Sequence, residues 1–161
     1  MPVTQEVVKL IERTFPKAAA KAGGIKPAHI VDMREGKVAV EAMQETLKPL
    51  HKAAQESGKS LDTYILYGKD EFEALGVRAK ASPEAMKDYE EVQRALSKGK
   101  KHKTTLVSED GEKITSTVKQ AGEDTIVFRT KFEFNDEKAA KSARRANTWN
   151  LLKKENFFKN W

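Results

Sequence analysis

The stretch from Thr104 to Phe134, TTLVSEDGEKITSTVKQAGEDTIVFRTKFEF, decides the fold class of this 161-residue chain. Asp110-Gly111 is a two-residue sequence favoured in tight hairpin turns, and a second turn falls at 121–124. The residues on either side of both turns are rich in Thr, Ile, Val and Phe, which favour extended backbone. The sequence therefore predicts a three-stranded antiparallel meander, with strands at 104–108, 113–120 and 125–134.

Alternation along the third strand predicts which side of the meander is buried. Residues 126, 128, 130, 132 and 134 are mostly apolar and form the predicted core face, because a shift of one residue would turn every side chain over. A two-residue turn at Asp110-Gly111 pairs Val107 with Ile114. The opposite face then carries a polar, cationic set: His102, Thr104, Leu106, Lys113, Thr115, Thr117, Lys119, Val127, Arg129 and Lys131.

The sequence before the meander is mostly helical. Thr4 caps a first helix that Pro16 interrupts, and apolar residues at spacings of three and four predict another helix from Val40 to Gly58. Pro49 lies inside that helix and predicts either a kink or a split. Residues 25–33 are ambiguous between a short helix and an extended segment.

Two further elements are marked more clearly. Residues 61–67, with their aromatic and branched side chains, predict a strand, and Asp70 predicts a short helix that Gly76 closes. Ser82-Pro83 combines a favoured cap with a proline at the first helical position, so a helix is predicted from here to Gly99.

The end of the chain predicts one more helix. Asn135 or Asp136 can cap it, and it is rich in alanine through Ala146. Helices therefore precede the sheet instead of alternating with strands, which is typical of the α+β class. We expect one domain over 1–161, with a helical part at about 1–97 and a β-meander plus C-terminal helix at about 98–161.

The composition excludes several kinds of site. The chain has no cysteine, so disulfides, thiolate zinc sites and cysteine nucleophiles are excluded. The histidines His29, His51 and His102 have no metal-ligand spacing, and no glycine-rich phosphate loop occurs, so neither a metal nor a cofactor is predicted. With no signal peptide and no long apolar run, the sequence predicts a soluble, cytoplasmic protein without a membrane partner.

The positive charge of the chain is distributed unevenly. The net charge is +6, yet the first 97 residues carry 15 basic and 15 acidic side chains, which leaves 15 and 9 for the remainder. Lys98 to Lys103 alone contains four lysines. Such an imbalance indicates a polyanionic partner, although ordinary solubilising charge would give the same count.

The leading functional hypothesis is a module that binds the nucleic-acid phosphate backbone, DNA or RNA, without strong sequence readout. Lysine and arginine supply the charge for such binding, and threonine hydroxyls supply hydrogen bonds. A sheet face that is merely solvated remains the alternative. The predicted contact residues are Lys100, Lys101, Lys103, Lys119, Arg129, Lys131, Lys138, Lys141 and Arg145.

Two other hypotheses come from different classes. The aromatic residues Trp149, Phe157, Phe158 and Trp161 could dock on the core, could stack on nucleic-acid bases, or could engage a protein partner or a second copy of the chain. A metal-independent ribonuclease would need a base near cations, and His102 is the catalytic candidate because it shares the predicted face with Lys119 and Arg129. On balance the sequence predicts a binding protein rather than an enzyme.

Overall fold

The computed structural model describes residues 4–34, 40–107 and 112–134. Within these ranges the chain forms five α-helices, a short 3₁₀ turn at Pro27–His29 and five strands. The helices and strands are α1 Gln5–Thr14, α2 Pro16–Ala22, β1 Ile30–Asp32, α3 Val40–Ser57, β2 Leu61–Gly68, α4 Lys69–Ala79, α5 Pro83–Ser97, β3 His102–Val107, β4 Lys113–Gln120 and β5 Thr125–Glu133.

All five strands belong to one mixed sheet in the order β1-β2-β5-β4-β3. β1 runs parallel to β2, and every other neighbouring pair is antiparallel. The prediction of a three-stranded meander followed by a C-terminal helix is therefore wrong for the architecture, although the class is α+β. β5 is a central strand paired with β2, and the predicted helix after residue 134 lies outside the described residues.

Burial on both faces explains why the sheet extends beyond the meander. Tyr64 to Tyr67 of β2 and Thr125 to Phe128 of β5 are consecutively buried, which is typical of strands in the middle of a sheet. Such strands need a neighbour on each side and a layer above and below. The prediction of β5 relied on strict alternation of apolar and polar residues, which is typical of a strand with one solvated face.

Helices cover the two faces of the sheet unequally. On the core face, α3, α4 and α5 pack Leu47, Leu75 and Val92 into one cluster with Ile65 and Phe128. On the second face, α1 and α2 cover only part of the sheet, and Ile11 and Phe15 pack with Tyr64, Leu66 and Val127. We call the rest of this second face the basic face. It carries Lys103, Thr105, Val107, Lys113, Thr115, Thr117, Lys119, Arg129 and Lys131, with Asp62 and Glu133 as its acidic residues.

The predicted register of β3 was wrong by one residue. Leu106, and not Val107, lies opposite Ile114, and Val107 lies opposite Lys113. This register packs Leu106 against the cluster that contains Ile114 and Phe132. It also moves His102, Thr104 and Leu106 to the core face and brings Lys103 onto the basic face, because neighbouring residues of a strand point to opposite sides.

The structure decides two questions about helix ends. α3 continues through Pro49, so of the two predicted alternatives, a kink or a split, the split is excluded. Pro49 is exposed, and water can satisfy the carbonyl that lacks its helical partner. α4 continues past Gly76 to Ala79, because Gly76 is a site of close packing and not a stop. A Cβ atom at Gly76 would lie 2.5 Å from Cζ of Tyr89, a residue of α5.

Replacing Gly76 with alanine is expected to destabilise the protein by about 1–3 kcal/mol, because the added methyl group would overlap the buried Tyr89 ring. Helix propensity alone would predict a gain of about 1 kcal/mol. Urea unfolding of Gly76→Ala measures the difference. Ala74→Gly, at an exposed position of α4, is the control and should lose only about 1 kcal/mol. A stabilised Gly76→Ala variant would contradict the close packing.

Candidate functional site

The basic face and α2 together form a groove of about 940 Å³. Its sides are the segment from Thr14 to Lys21 and the strands β3, β4 and β5. Eight lining residues are cationic, and one, Glu133, is acidic. The cations are Lys17, Lys21, Lys101, Lys103, Lys113, Lys119, Arg129 and Lys131.

The junction between α1 and α2 fixes the helical side of the groove. Pro16 occupies the start of α2, where a missing backbone donor costs nothing. Phe15 is buried and packs on Tyr64 with ring centroids 5.8 Å apart. Lys119 Nζ donates a hydrogen bond to the Thr14 carbonyl oxygen over 3.0 Å. Ala18 and Ala19 are buried, and their small side chains let α2 approach the sheet closely.

The pleat of the sheet spaces the polar groups on the floor of the groove. Thr117 is the cross-strand partner of both Lys103 and Arg129, which gives one row across three strands. Thr115 is the cross-strand partner of Lys131 in the next row on the same face. Neighbouring strands lie about 4.8 Å apart, so the groove presents hydroxyl and cationic groups at regular intervals.

The cations of the groove differ in the partners they already have. Arg129 places Nε and Nη2 each 3.0 Å from Asp62 Oδ1. Lys131 Nζ lies 3.9 Å from Glu133 Oε1, and Lys119 is bound to Thr14 as described above. Within the described part of the chain, the remaining five lysines have no ion pair, and they are Lys17, Lys21, Lys101, Lys103 and Lys113. The uncompensated charge therefore lies on both sides of the groove.

The structure places the predicted contact residues in three groups. Lys101, Lys103, Lys119, Arg129 and Lys131 line the groove. Lys100 is exposed in the turn after α5 and does not line it. The other predicted positions lie outside the described residues, and they are Lys138, Lys141, Arg145, Trp149, Phe157, Phe158 and Trp161.

Three groove lysines were absent from the predicted contact set. Lys113 was assigned to the correct face but not selected as a contact. Lys17 and Lys21 lie in the half of the chain with no net charge, so the charge count gave no reason to select them. They are four residues apart in a short alanine-rich helix and therefore share one helix face, which was the available signal.

Comparison of the chain with protein-family models, curated proteins and solved structures gave no match. In the described ranges, no cluster of three or more histidine or carboxylate side chains is placed to hold a metal ion. None of the helices there is both long and apolar enough to cross a membrane.

His102 does not form the arrangement expected for a ribonuclease. It lies opposite Val118 on the core face, whereas Arg129 lies on the basic face. Its side chain is 17% exposed, with Nε2 3.7 Å from Glu91 Oε2 of α5. The expected arrangement was wrong because it followed from the incorrect register of β3.

A smaller cavity of about 370 Å³ adjoins the groove, and we call it the His29 pocket. The two cavities share Ala18, Lys21, Arg129 and Lys131. The other residues that line the pocket are Ala22, Gly24, Ile25, Lys26, His29, Ser60, Asp62 and Tyr64. Asp62 is thus the one acidic side chain among four cations.

Two groups in the His29 pocket have a defined protonation pattern. His29 Nδ1 lies 3.0 Å from the Asp62 carbonyl oxygen, and because that oxygen can only accept, Nδ1 must carry the proton. Burial raises the pKa of Tyr64 to about 12, with a further contribution from the charge of Asp62, while Arg129 acts in the opposite direction. The phenol therefore remains a neutral hydroxyl at physiological pH.

Proposed function

We propose that the protein binds the phosphate backbone of DNA or RNA in the groove between α2 and the basic face. The observation that supports this proposal is the convergence of eight cations and one carboxylate in a single groove. Lysines that neutralise phosphates release condensed counterions, and this release supplies most of the free energy of binding that does not depend on sequence.

The threonines on the floor support the same assignment. Thr117 lies between Lys103 and Arg129 of the neighbouring strands, and Thr115 lies between Thr105 and Lys131. Threonine hydroxyls are common partners of phosphate oxygens, and such contacts position a strand without carrying sequence information. The groove therefore offers both charge and short-range hydrogen bonding to a sugar-phosphate backbone.

The side chains of the groove argue against base recognition. Among the described residues that line it, Phe15 is the single aromatic, and it is buried, so this part of the chain offers no exposed ring in the groove for stacking on bases. Lysine acts as a point charge, whereas bidentate reading of guanine requires a free arginine. Arg129, the one arginine among the same described residues, is held by Asp62. We therefore propose binding that is nearly independent of sequence.

The dependence of affinity on salt tests this proposal. If each of the five lysines without an ion pair contacts one phosphate, log affinity against log salt has a slope of about −3.5 for single strands. Fluorescence anisotropy between about 50 and about 200 mM salt gives this slope. Two oligonucleotides of equal length and unrelated sequence should bind equally well. An absence of binding at about 50 mM salt, or a slope near zero, would contradict the proposal.

A further inference from the structure

We propose that the His29 pocket binds a terminal phosphate, so that the protein prefers a nucleic-acid strand with a phosphomonoester at its end. This inference rests on the proposed function, because the strand that enters the pocket is the one held in the groove. Lys26 and His29 line the pocket and not the groove, whereas Lys103 and Lys113 line the groove and not the pocket.

The charge of the pocket matches a phosphomonoester better than an internal phosphate. Of the four cations in the pocket, Arg129 is bound by Asp62 and Lys131 lies near Glu133, whereas Lys21 and Lys26 have no ion pair in the described residues, so about two positive charges remain. A phosphomonoester carries about −1.5 to −2 charges near neutral pH and offers three acceptor oxygens. An internal phosphodiester carries a single charge, so it would leave more of this positive charge uncompensated.

The pocket is also organised before any ligand arrives. The hydrogen bond from Nδ1 to the Asp62 carbonyl oxygen holds the His29 ring, and Asp62 holds the Arg129 guanidinium. Tyr64, from the same strand as Asp62, is 3% exposed. A volume of about 370 Å³ lies within the range of small-ligand pockets, about 300–1,000 Å³, so a terminal phosphate and part of its nucleotide can enter.

The shared residues connect the pocket with the path of the strand. Lys21, Arg129 and Lys131 line both cavities, so a backbone in the groove reaches the pocket without crossing an uncharged surface. A strand whose terminal phosphate binds in the pocket makes this contact in addition to its contacts along the groove. The gain should appear as higher affinity for phosphorylated ends at constant strand length.

Three oligonucleotides of one sequence test the inference: one with a 5′-phosphate, one with a 3′-phosphate and one without a terminal phosphate. We expect at least one phosphorylated strand to bind roughly tenfold more tightly than the strand without it. Lys26→Gln, at an exposed position, should remove this gain, so that the phosphorylated strand loses far more affinity than the unphosphorylated one. Lys113→Gln should weaken all three strands by the same factor, and Lys52→Gln, on α3, should change nothing.

The possible outcomes distinguish failure of the terminal-phosphate site from failure of the groove proposal. Equal affinity for all three strands, or a gain that survives Lys26→Gln, overturns the terminal-phosphate site and leaves the groove proposal standing. If none of the strands binds, the proposed function fails. A nucleoside monophosphate that shifts the NMR signals of the His29 ring would then still support the pocket, and its failure to do so would overturn that too.

Discussion

Replacing Lys101, Lys103 and Lys113 with glutamate is expected to weaken binding to a short DNA or RNA strand by about 100-fold or more at low salt. Each substitution removes one counterion-releasing contact and adds a charge that repels the backbone. The salt slope should also fall, by about 2 for a single strand. These three lysines line the groove without an ion pair in the described residues, so their replacement breaks no structural contact seen there.

A matched control variant distinguishes the loss of groove contacts from the effect of a lower net charge. Lys48 and Lys52 on α3 and Lys80 after α4 are exposed, and these helices pack on the core face, away from the groove. The triple variant Lys48→Glu, Lys52→Glu, Lys80→Glu changes the net charge by the same amount. Anisotropy titrations of both variants, with circular dichroism to verify folding, make the comparison. An equal loss of affinity in the two would contradict binding in the groove.

A second large effect, a loss of stability, is expected at alkaline pH. The chain has three tyrosines, Tyr64, Tyr67 and Tyr89, and burial raises the pKa of each above its ordinary value of 10. The folded protein therefore keeps phenol protons that the unfolded chain loses near pH 10. Above that pH the unfolded state binds fewer protons than the folded state, so stability falls as pH rises. Tyr64 alone, with its pKa at about 12, would remove on the order of 2–3 kcal/mol by that pH.

Ultraviolet absorbance of tyrosinate measures this effect directly. Near pH 10 the folded protein should show less tyrosinate than the unfolded chain, and a steep further rise should coincide with the loss of circular dichroism. In concentrated denaturant the three tyrosines should titrate together near 10. The variant Tyr64→Phe should lose stability less steeply between pH 10 and about 12. Titration of all three tyrosines near pH 10 in protein that is still folded would contradict the burial of these rings.

Elements whose boundaries are set by local chemistry could be predicted from the sequence. α5 starts where expected because the Ser82 side chain accepts a hydrogen bond from the Ala85 N–H and Pro83 needs no donor at that position. The strand predicted at 61–67 is confirmed as β2, Leu61–Gly68. In both cases the deciding contacts or preferences come from residues close in the chain.

Features that depend on distant partners could not be predicted. β1 has only three residues and exists because β2 lies beside it. Glu112, directly before β4, places Oε1 2.6 Å from Nε2 of the buried His51 of α3, a partner that a turn sequence cannot reveal. The sequence predicts a helix stop at Gly76, because it does not show that the Tyr89 ring packs against this residue.

The candidate site was predictable on one side only. Lys119, Arg129 and Lys131 follow from charge and strand alternation, and they lie together in the groove. Lys103 was selected for its charge alone, because the predicted register of β3 put it on the core face. Lys17 and Lys21 depend on the docking of α2, which no local pattern specifies. His29 was set aside because it lacks a metal-ligand spacing, yet a pocket for an anion needs no such spacing.

The central position of β5 has a consequence for how the chain folds. β5 is the last strand in the described sequence, and it lies between β2 and β4. During synthesis β2 therefore cannot pair with β5 until residues 125–133 have left the ribosome. Until then one edge of β2 has unpaired backbone groups that other chains can bind. Pairings over such sequence separations also slow folding. A chain that stops before residue 125 would expose that edge permanently and is expected to aggregate.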